Sequence, residues 1–360
     1  MEPSAILKPC WNSKRRFESV SRYYRSLLMA CLVLASIVVT LGAYVRLSDA
    51  GLGCPDWPGC YGKWIGVPDE AHEVVAAESA FPNAPVEVPK AWKEMIHRYA
   101  ASLLGLGILG LAAAAWSRNR TEAVWTRLLV VLVLIQGALG MWTVTLLLKP
   151  VIVTLHLIGG LTVLSILLGL TWRAWVPPST RTMPAGLAAP AWLMVAIVAF
   201  QISLGGWTSS NYAAMACPDY PQCQQAWVPE MDWSHAFVFQ RELGQTASGE
   251  GLPIAALVAI HWTHRWFAMV VVACALWLAW RLIRAHAALK PYALALVGAV
   301  GLQWGIGVLN VYLQWPLGLA VLHNTGAALL LAVALVIALR LSGAGASATQ
   351  TLGAVAPSKG

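Results

Sequence analysis

Residues 41–60 read LGAYVRLSDAGLGCPDWPGC, and residues 204–223 read LGGWTSSNYAAMACPDYPQC. Set against each other at an offset of 163, the Leu-Gly pair, the Cys-Pro-Asp triplet and the closing cysteine coincide. Working outward, Glu94-Met-Ile-His97-Arg98 falls on His261-Trp-Thr-His264-Arg265, Gln136 on Gln303 and His156 on His323, each at an offset of 167. A slip of four residues inside a loop is an ordinary insertion. Two cysteines, two histidines, an arginine and a glutamine recurring in one order mark an internal duplication, and a repeat of this length organises the whole chain.

The residues around the repeat decide its solvent. Of 360 residues, 58% are hydrophobic and 11% charged, against about 25% charged in a soluble domain. Eight apolar runs lie near 26–45, 95–116, 128–148, 151–172, 190–208, 258–280, 291–313 and 317–340. Each approaches the roughly 20 residues that cross a bilayer core. Amides in lipid must be paired within their own segment, and the period-two alternation of a barrel is absent, so the runs read as helices. The expected fold is all-α: a polytopic membrane protein whose eight transmembrane helices form two pseudo-symmetric four-helix bundles. Four spans per half make the repeats parallel. The expected divisions are a basic tail over 1–25, a first half over 26–175, a linker over 176–189, a second half over 190–341 and a C-terminal tail over 342–360.

The net charge of +8 does not point to nucleic acid, because the basic residues lie in short clusters between apolar runs. Lys8, Lys14, Arg15, Arg16, Arg22, Arg25, Arg118, Arg120, Arg127, Arg173, Arg181, Arg281, Arg284 and Lys290 fall on one side of an eight-span chain. The positive-inside rule makes that side, and both termini, cytoplasmic. Loops 46–92 and 209–257, rich in Asp and Glu, fall outside. The first apolar run, Ser26 to Val45, exceeds a signal h-region of about 7–15 residues, so the tail is expected to be retained. A bacterial inner membrane is the expected setting.

Of eight histidines, His72, His235 and His286 read as solvated loop residues. His97, His156, His264 and His323 map to the outer ends of spans two, four, six and eight, and an ionisable residue in a span is a functional hypothesis by default. Two imidazoles at similar depth on two helices of one bundle suit a bis-histidine haem. Interhelical hydrogen bonding is the plain alternative; finding the pair twice favours haem. Structural zinc wants four ligands, and each half offers two intramembrane histidines. Arg98 and Arg265, next to a histidine in each half, read as partners for haem propionates or as headgroup-snorkelling residues. Glu94 shares a helix face with His97 and can exchange protons beside it. Its counterpart is His261, so the halves are unequal, which suggests a reactive site in the first and a fixed cofactor in the second. Cys54 with Cys60, and Cys217 with Cys223, lie in loops on a side that can be oxidising. They read either as structural staples or as redox-active pairs. Cys31 and Cys274 read as small buried hydrophobes, and Cys10 stands alone in the tail.

The Cys-Pro-Asp-Trp-Pro-x-Cys loop, the Glu-x-x-His-Arg segment, His156, and the second-half His-Arg with His323 together resemble the haem A synthase family, over residues 26–340. The resemblance implies an oxidoreductase that converts the C8 methyl of haem O to a formyl group, giving haem A for terminal oxidases. It implies that His97 and His156 hold the substrate haem O, with Glu94 assisting, and that His264 and His323 hold haem b. It matches Cys54–Cys60 and Cys217–Cys223 to the family's two loop pairs. Haem O synthase and terminal oxidase assembly factors are the expected partners, in the lipid bilayer, with an oligomer open. Two other classes stay open on the residues alone. A di-haem b electron-transfer cytochrome would use the four histidines and leave Glu94 and the cysteines idle. A membrane thiol oxidoreductase would work through the cysteine pairs.

Overall fold

The computed structural model of the chain describes residues 22–116, 120–176 and 186–352. Most of the basic tail, with Lys8, Cys10, Lys14, Arg15 and Arg16, lies outside the described residues, as do Arg118, Arg181, most of the linker and the end of the C-terminal tail. Eight long helices carry the fold: α1 Arg22–Leu47, α2 Val88–Ala115, α3 Arg120–Thr145, α4 Pro150–Trp175, α5 Ala188–Ser210, α6 Ile254–Ala285, α7 Lys290–Tyr312 and α8 Leu317–Leu352. All eight contain a stretch long and apolar enough to cross a membrane; this is a multi-pass membrane protein.

Several helices outrun the apolar stretches that announce them. Helix α2 starts at Val88 instead of near 95, because Pro89 at its first turn is preorganised for a helix start and Lys90, Lys93 and Glu94 are good helix formers despite their charge. Glu94, His97 and Arg98 therefore sit inside the helix, with His97 its tenth residue. Helix α4 likewise opens on Pro150, which makes His156 its seventh residue.

Helix α1 packs on α2 and α4, and α3 packs on the same two. In the second half α5 and α7 each pack on α6 and α8. Contacts of α4 with α5, and of α8 with α1 and α4, join the sets. One continuous core runs through them, with Leu28, Ile108, Leu167, Met194, Leu278 and Leu296 at its centre. Lipid tails are as apolar as leucine, so helices in a bilayer associate through close packing, which small residues permit. Buried Ala35, Ala115, Ala191, Ala275 and Ala338 serve that end.

The duplication recurs in the backbone. Non-glycine residues in the left-handed region include Asp49 and Tyr212, Tyr61 and Gln224, Leu147 and Gln314, and Leu148 and Trp315, pairs that stand 163 or 167 apart. Helices α3 and α7 end alike: Leu148 N–H donates to the Thr143 carbonyl (2.8 Å) and Trp315 N–H to the Asn310 carbonyl (2.7 Å), each closing the wide ring of a Schellman cap. The turns that follow are short, and each delivers the next helix with its histidine as the seventh residue.

Candidate functional site

Each of the four intramembrane histidines is seated against a glycine of the preceding long helix. A β-carbon on Gly42 of α1 would stand 3.0 Å from His97 Cε1, and one on Gly140 of α3 would stand 3.5 Å from His156 Cε1. In the second half, a β-carbon on Gly205 of α5 would stand 3.0 Å from His264 Cε1, and one on Gly307 of α7 would stand 3.0 Å from His323 Cε1. At Gly42, Gly205 and Gly307 any side chain would crowd the ring, and at Gly140 a β-carbon would just touch it, so these glycines shape the seat of each imidazole.

The second-half pair converges. The ring centres of His264 and His323 are 6.4 Å apart, with the planes at 83°. An imidazole nitrogen binds a metal ion at about 2.0–2.1 Å, so two rings on opposite sides of one ion hold their centres roughly 6 Å apart. Both histidines line a cavity of about 390 Å³, together with Arg265, His261, Gln201, Gln303, Gly205 and Gly307. That volume is in the range of small-molecule and cofactor sites. Among the described residues no cluster of three or more His, Cys, Asp or Glu side chains could hold a bare metal ion. The donor set therefore fits a metal whose remaining ligands arrive with it, as the four nitrogens of a porphyrin do.

Two glutamine side chains back this pair. The Gln201 amide nitrogen lies 3.1 Å from His264 Nδ1 and donates to the His264 carbonyl at 3.0 Å. The Gln303 amide lies 3.3 Å from His323 Nδ1 and donates to the His323 carbonyl at 2.9 Å. Each amide thus ties its imidazole's backbone and ring to the neighbouring helix, which positions the ring in the cavity. At the place of Gln201 the first half has Val38, so the two sites differ here as well as at Glu94.

Glu94 is buried and fully engaged. Its Oε2 accepts from the Cys54 backbone N–H at 3.0 Å, and its Oε1 accepts from Arg98 Nη2 at 2.6 Å. Arg98 Nη1 in turn donates to the carbonyls of Asp56 and Gly59 at 3.0 and 2.5 Å. Gly53 makes this possible: a β-carbon there would meet the Lys90 backbone carbonyl carbon at 2.6 Å, so only glycine lets the loop touch α2. The second half repeats the scheme with a different acceptor. His261 Nε2 accepts from Arg265 Nε at 3.1 Å, and Arg265 donates to the carbonyls of Asp219, Gln222 and Cys217 at 2.6, 3.0 and 2.6 Å. His261 thus stands where Glu94 stands, as the support of an arginine that clamps a loop.

The loops are closed by disulfides Cys54–Cys60 and Cys217–Cys223, and all four cysteines are buried. Two residues that sequence reading passed over shape them. Asp56 accepts from the backbone N–H groups of Tyr61 and Gly62 at 2.6 and 2.8 Å. Asp219 accepts from Gln224 and Gln225, both at 2.7 Å. The aspartate of Cys-Pro-Asp is thus the internal brace of its loop; its two-fold recurrence was the available signal. Charged hydrogen bonds are worth about 1.5–3 kcal/mol when protected, less when solvated. Asp56→Asn should therefore speed reduction of Cys54–Cys60 by roughly tenfold, followed by alkylation and mass spectrometry, and leave Cys217–Cys223 unchanged. Equal reduction rates in wild type and variant would remove Asp56 from loop bracing.

The loop histidines are peripheral. His72 is exposed, and His286 accepts from the Ala288 N–H. His235 lies 2.6 Å from Asp232, whose carboxyl is drawn down to about 2 by hydrogen bonds from Ser234 and His235.

Residues 25–335 match the COX15-CtaA family, described as cytochrome oxidase assembly proteins. The chain is 45% identical over 310 residues to a protein of Shewanella oneidensis named Heme A synthase, covering 85% of this chain and 92% of that one. It is 28% identical over 334 residues to one of the same name from Rhizorhabdus wittichii, covering 86% and 90%. A third of that name, from Halalkalibacterium halodurans, is 27% identical over 239 residues, covering 64% and 72%. With the paired histidines and clamped loops inside the matched region, and the match reaching into all eight spans, the chain belongs to the COX15-CtaA family of cytochrome oxidase assembly proteins.

Proposed function

We propose that this protein is a haem A synthase, an enzyme that oxidises the C8 methyl of haem O to a formyl group. The observation that carries the reading is the unequal repeat: paired histidines in each half, but a carboxylate beside the pair in only one. Three relatives named Heme A synthase support it.

In this reading His264 and His323 hold haem b as a resident cofactor, and His97 and His156 hold haem O as substrate. The two sets of four helices are the duplicated units, and the divisions near residues 26–175 and 190–341 follow from them. A bound iron porphyrin supplies the redox chemistry. The protein's residues position it and manage protons. Gly42 and Gly140 seat the first pair of imidazoles, and Glu94, four residues from Arg98 and three from His97, takes up protons released at the methyl group. Arg98 and Arg265 hold the disulfide loops down over the sites and set positive charge where propionates would lie. The cysteine pairs act as staples of those loops, which is favoured by their burial. The loop-bearing end is the outer one, since Arg127, Arg173, Arg281, Arg284 and Lys290 all lie toward the other. In this reading the termini face the cytoplasm and the membrane is a cell inner membrane. Haem O synthase and terminal oxidase assembly factors are the proposed neighbours.

The test is to express the chain in cells that make haem O and to separate the extracted haems by chromatography. Haem A is expected in those cells and not in cells lacking the chain. Two haem b per chain with no haem A would make it a di-haem electron-transfer cytochrome. Activity lost in cysteine variants but kept in histidine variants would make it a thiol oxidoreductase.

A further inference from the structure

The second-half cavity is walled in part by the first half. Arg46 and Asp49, at the end of α1, line it together with His264, His323 and Arg265. Arg46 Nη2 donates to the Ser209 carbonyl at 2.6 Å, in the last turn of α5, and its guanidinium carbon lies 4.1 Å from the centre of the Tyr212 ring. Tyr212 donates its hydroxyl to Asp49 at 2.9 Å. Ser209 and Tyr212 are the repeat counterparts of Arg46 and Asp49, 163 residues on. The two halves therefore touch here through equivalent positions, and only the first half brings a cation.

The donor inventory distinguishes the two arginines of this wall. A guanidinium offers five N–H donors. Arg265 commits donors to three loop carbonyls and to His261. Arg46 donates to one backbone carbonyl and leans on the Tyr212 side chain, and its Nε is buried with no partner. Both guanidiniums are held by neutral groups. The carboxylate of the wall, Asp49, is already engaged by the Tyr212 hydroxyl and has Lys90 at 3.8 Å. A half-buried cation with unused donors, facing an apolar cavity, leaves desolvated N–H groups that an anion would satisfy.

Resting on the proposed haem site, we propose that Arg46 binds a carboxylate of the group held by His264 and His323, so that the second-half site is completed by a residue of the first half. A porphyrin with two propionates brings two negative charges to a wall with two guanidiniums. Arg46 supplies the hydrogen bonds; Arg265, whose donors are mostly engaged, supplies field. The site is consequently not self-contained within one half, and the second half alone would hold its cofactor loosely.

The experiment uses the full chain in detergent or nanodiscs, reconstituted with iron protoporphyrin IX or with its dimethyl ester, in wild type, Arg46→Gln and Arg46→Lys. Transfer of haem to excess apomyoglobin gives the dissociation rate. Arg46→Gln is expected to release the diacid at least about tenfold faster than wild type, with Arg46→Lys between them because the fork is lost while the charge stays. All three should release the ester at the same rate. The midpoint potential of the diacid form should fall in Arg46→Gln, since a nearby cation favours the reduced iron, and hold in Arg46→Lys. Equal acceleration of diacid and ester would mean that Arg46 only packs the inter-half contact, and no acceleration of either would also overturn the proposal. If Arg46→Gln does not fold, Arg46→Lys with the two porphyrins carries the same comparison. A wild-type chain that takes up no haem dependent on His264 would instead refute the haem site on which the inference rests.

Discussion

Glu94→Gln is expected to keep haem in both halves while haem A formation falls by about 10²–10⁴-fold, the range for losing a positioned acid or base. Haem O, or a hydroxylated intermediate, should accumulate in the extracted haems. The carboxylate is buried between two donors, the Cys54 N–H and Arg98. A glutamine can satisfy one of them with its oxygen but turns an NH₂ toward the other. The variant therefore loosens the loop as well as removing the proton acceptor, and two readouts separate the effects. Haem retention and the reduction rate of Cys54–Cys60 report the loop; the ratio of haem A to haem O at full occupancy reports the chemistry. Loop loosening with normal haem A would make Glu94 a support for Arg98, as His261 supports Arg265. Glu94→His, which copies the second half, sharpens the comparison. It should preserve the clamp on Arg98 and still fail to make haem A.

The spans and the order of histidines could be read from the sequence because hydropathy and duplication are properties of residue type alone. The contacts of the site could not. Arg98 pairs with Glu94, but Arg98 and Arg265 also donate to backbone carbonyls of the cysteine loops, and carbonyls leave no mark in a sequence. Glu94 looked like a residue at the edge of a span, since its charge depresses local hydropathy; in the helix it is buried by a loop from 40 residues away. Gly42 and Gly205 stood in the quoted repeat as the Leu-Gly pair, and their meaning appears only when a ring is found against each. Arg46 was invisible as a site residue because most of its cavity is lined by residues from Gln201 onward, far later in the chain.

The second large effect separates the two halves. His264→Ala and His323→Ala should each abolish the low-spin haem spectrum of the purified protein, because a bis-histidine haem would need both imidazoles and the third ring lining the cavity, His261, is already committed. His261 is the nearest alternative, but its Nε2 already accepts from Arg265 and its ring is held one turn from His264. His97→Ala and His156→Ala should leave that spectrum in place and lose haem A production, since their glycine seats are on α1 and α3, helices that do not supply His264 or His323. Gly205→Val gives a graded control: its side chain would press on His264 Cε1 from 3.0 Å, tilting the ring without removing the ligand. It should shift the spectrum and lower haem retention, short of the loss seen in His264→Ala. Optical spectroscopy at fixed protein concentration, paired with extracted-haem chromatography, measures both halves in one preparation. An unchanged low-spin spectrum in His264→Ala and His323→Ala would move the resident haem out of the second half. The same spectrum lost in His97→Ala would exchange the roles of the two sites, and the carboxylate of Glu94 would then lie beside the wrong one.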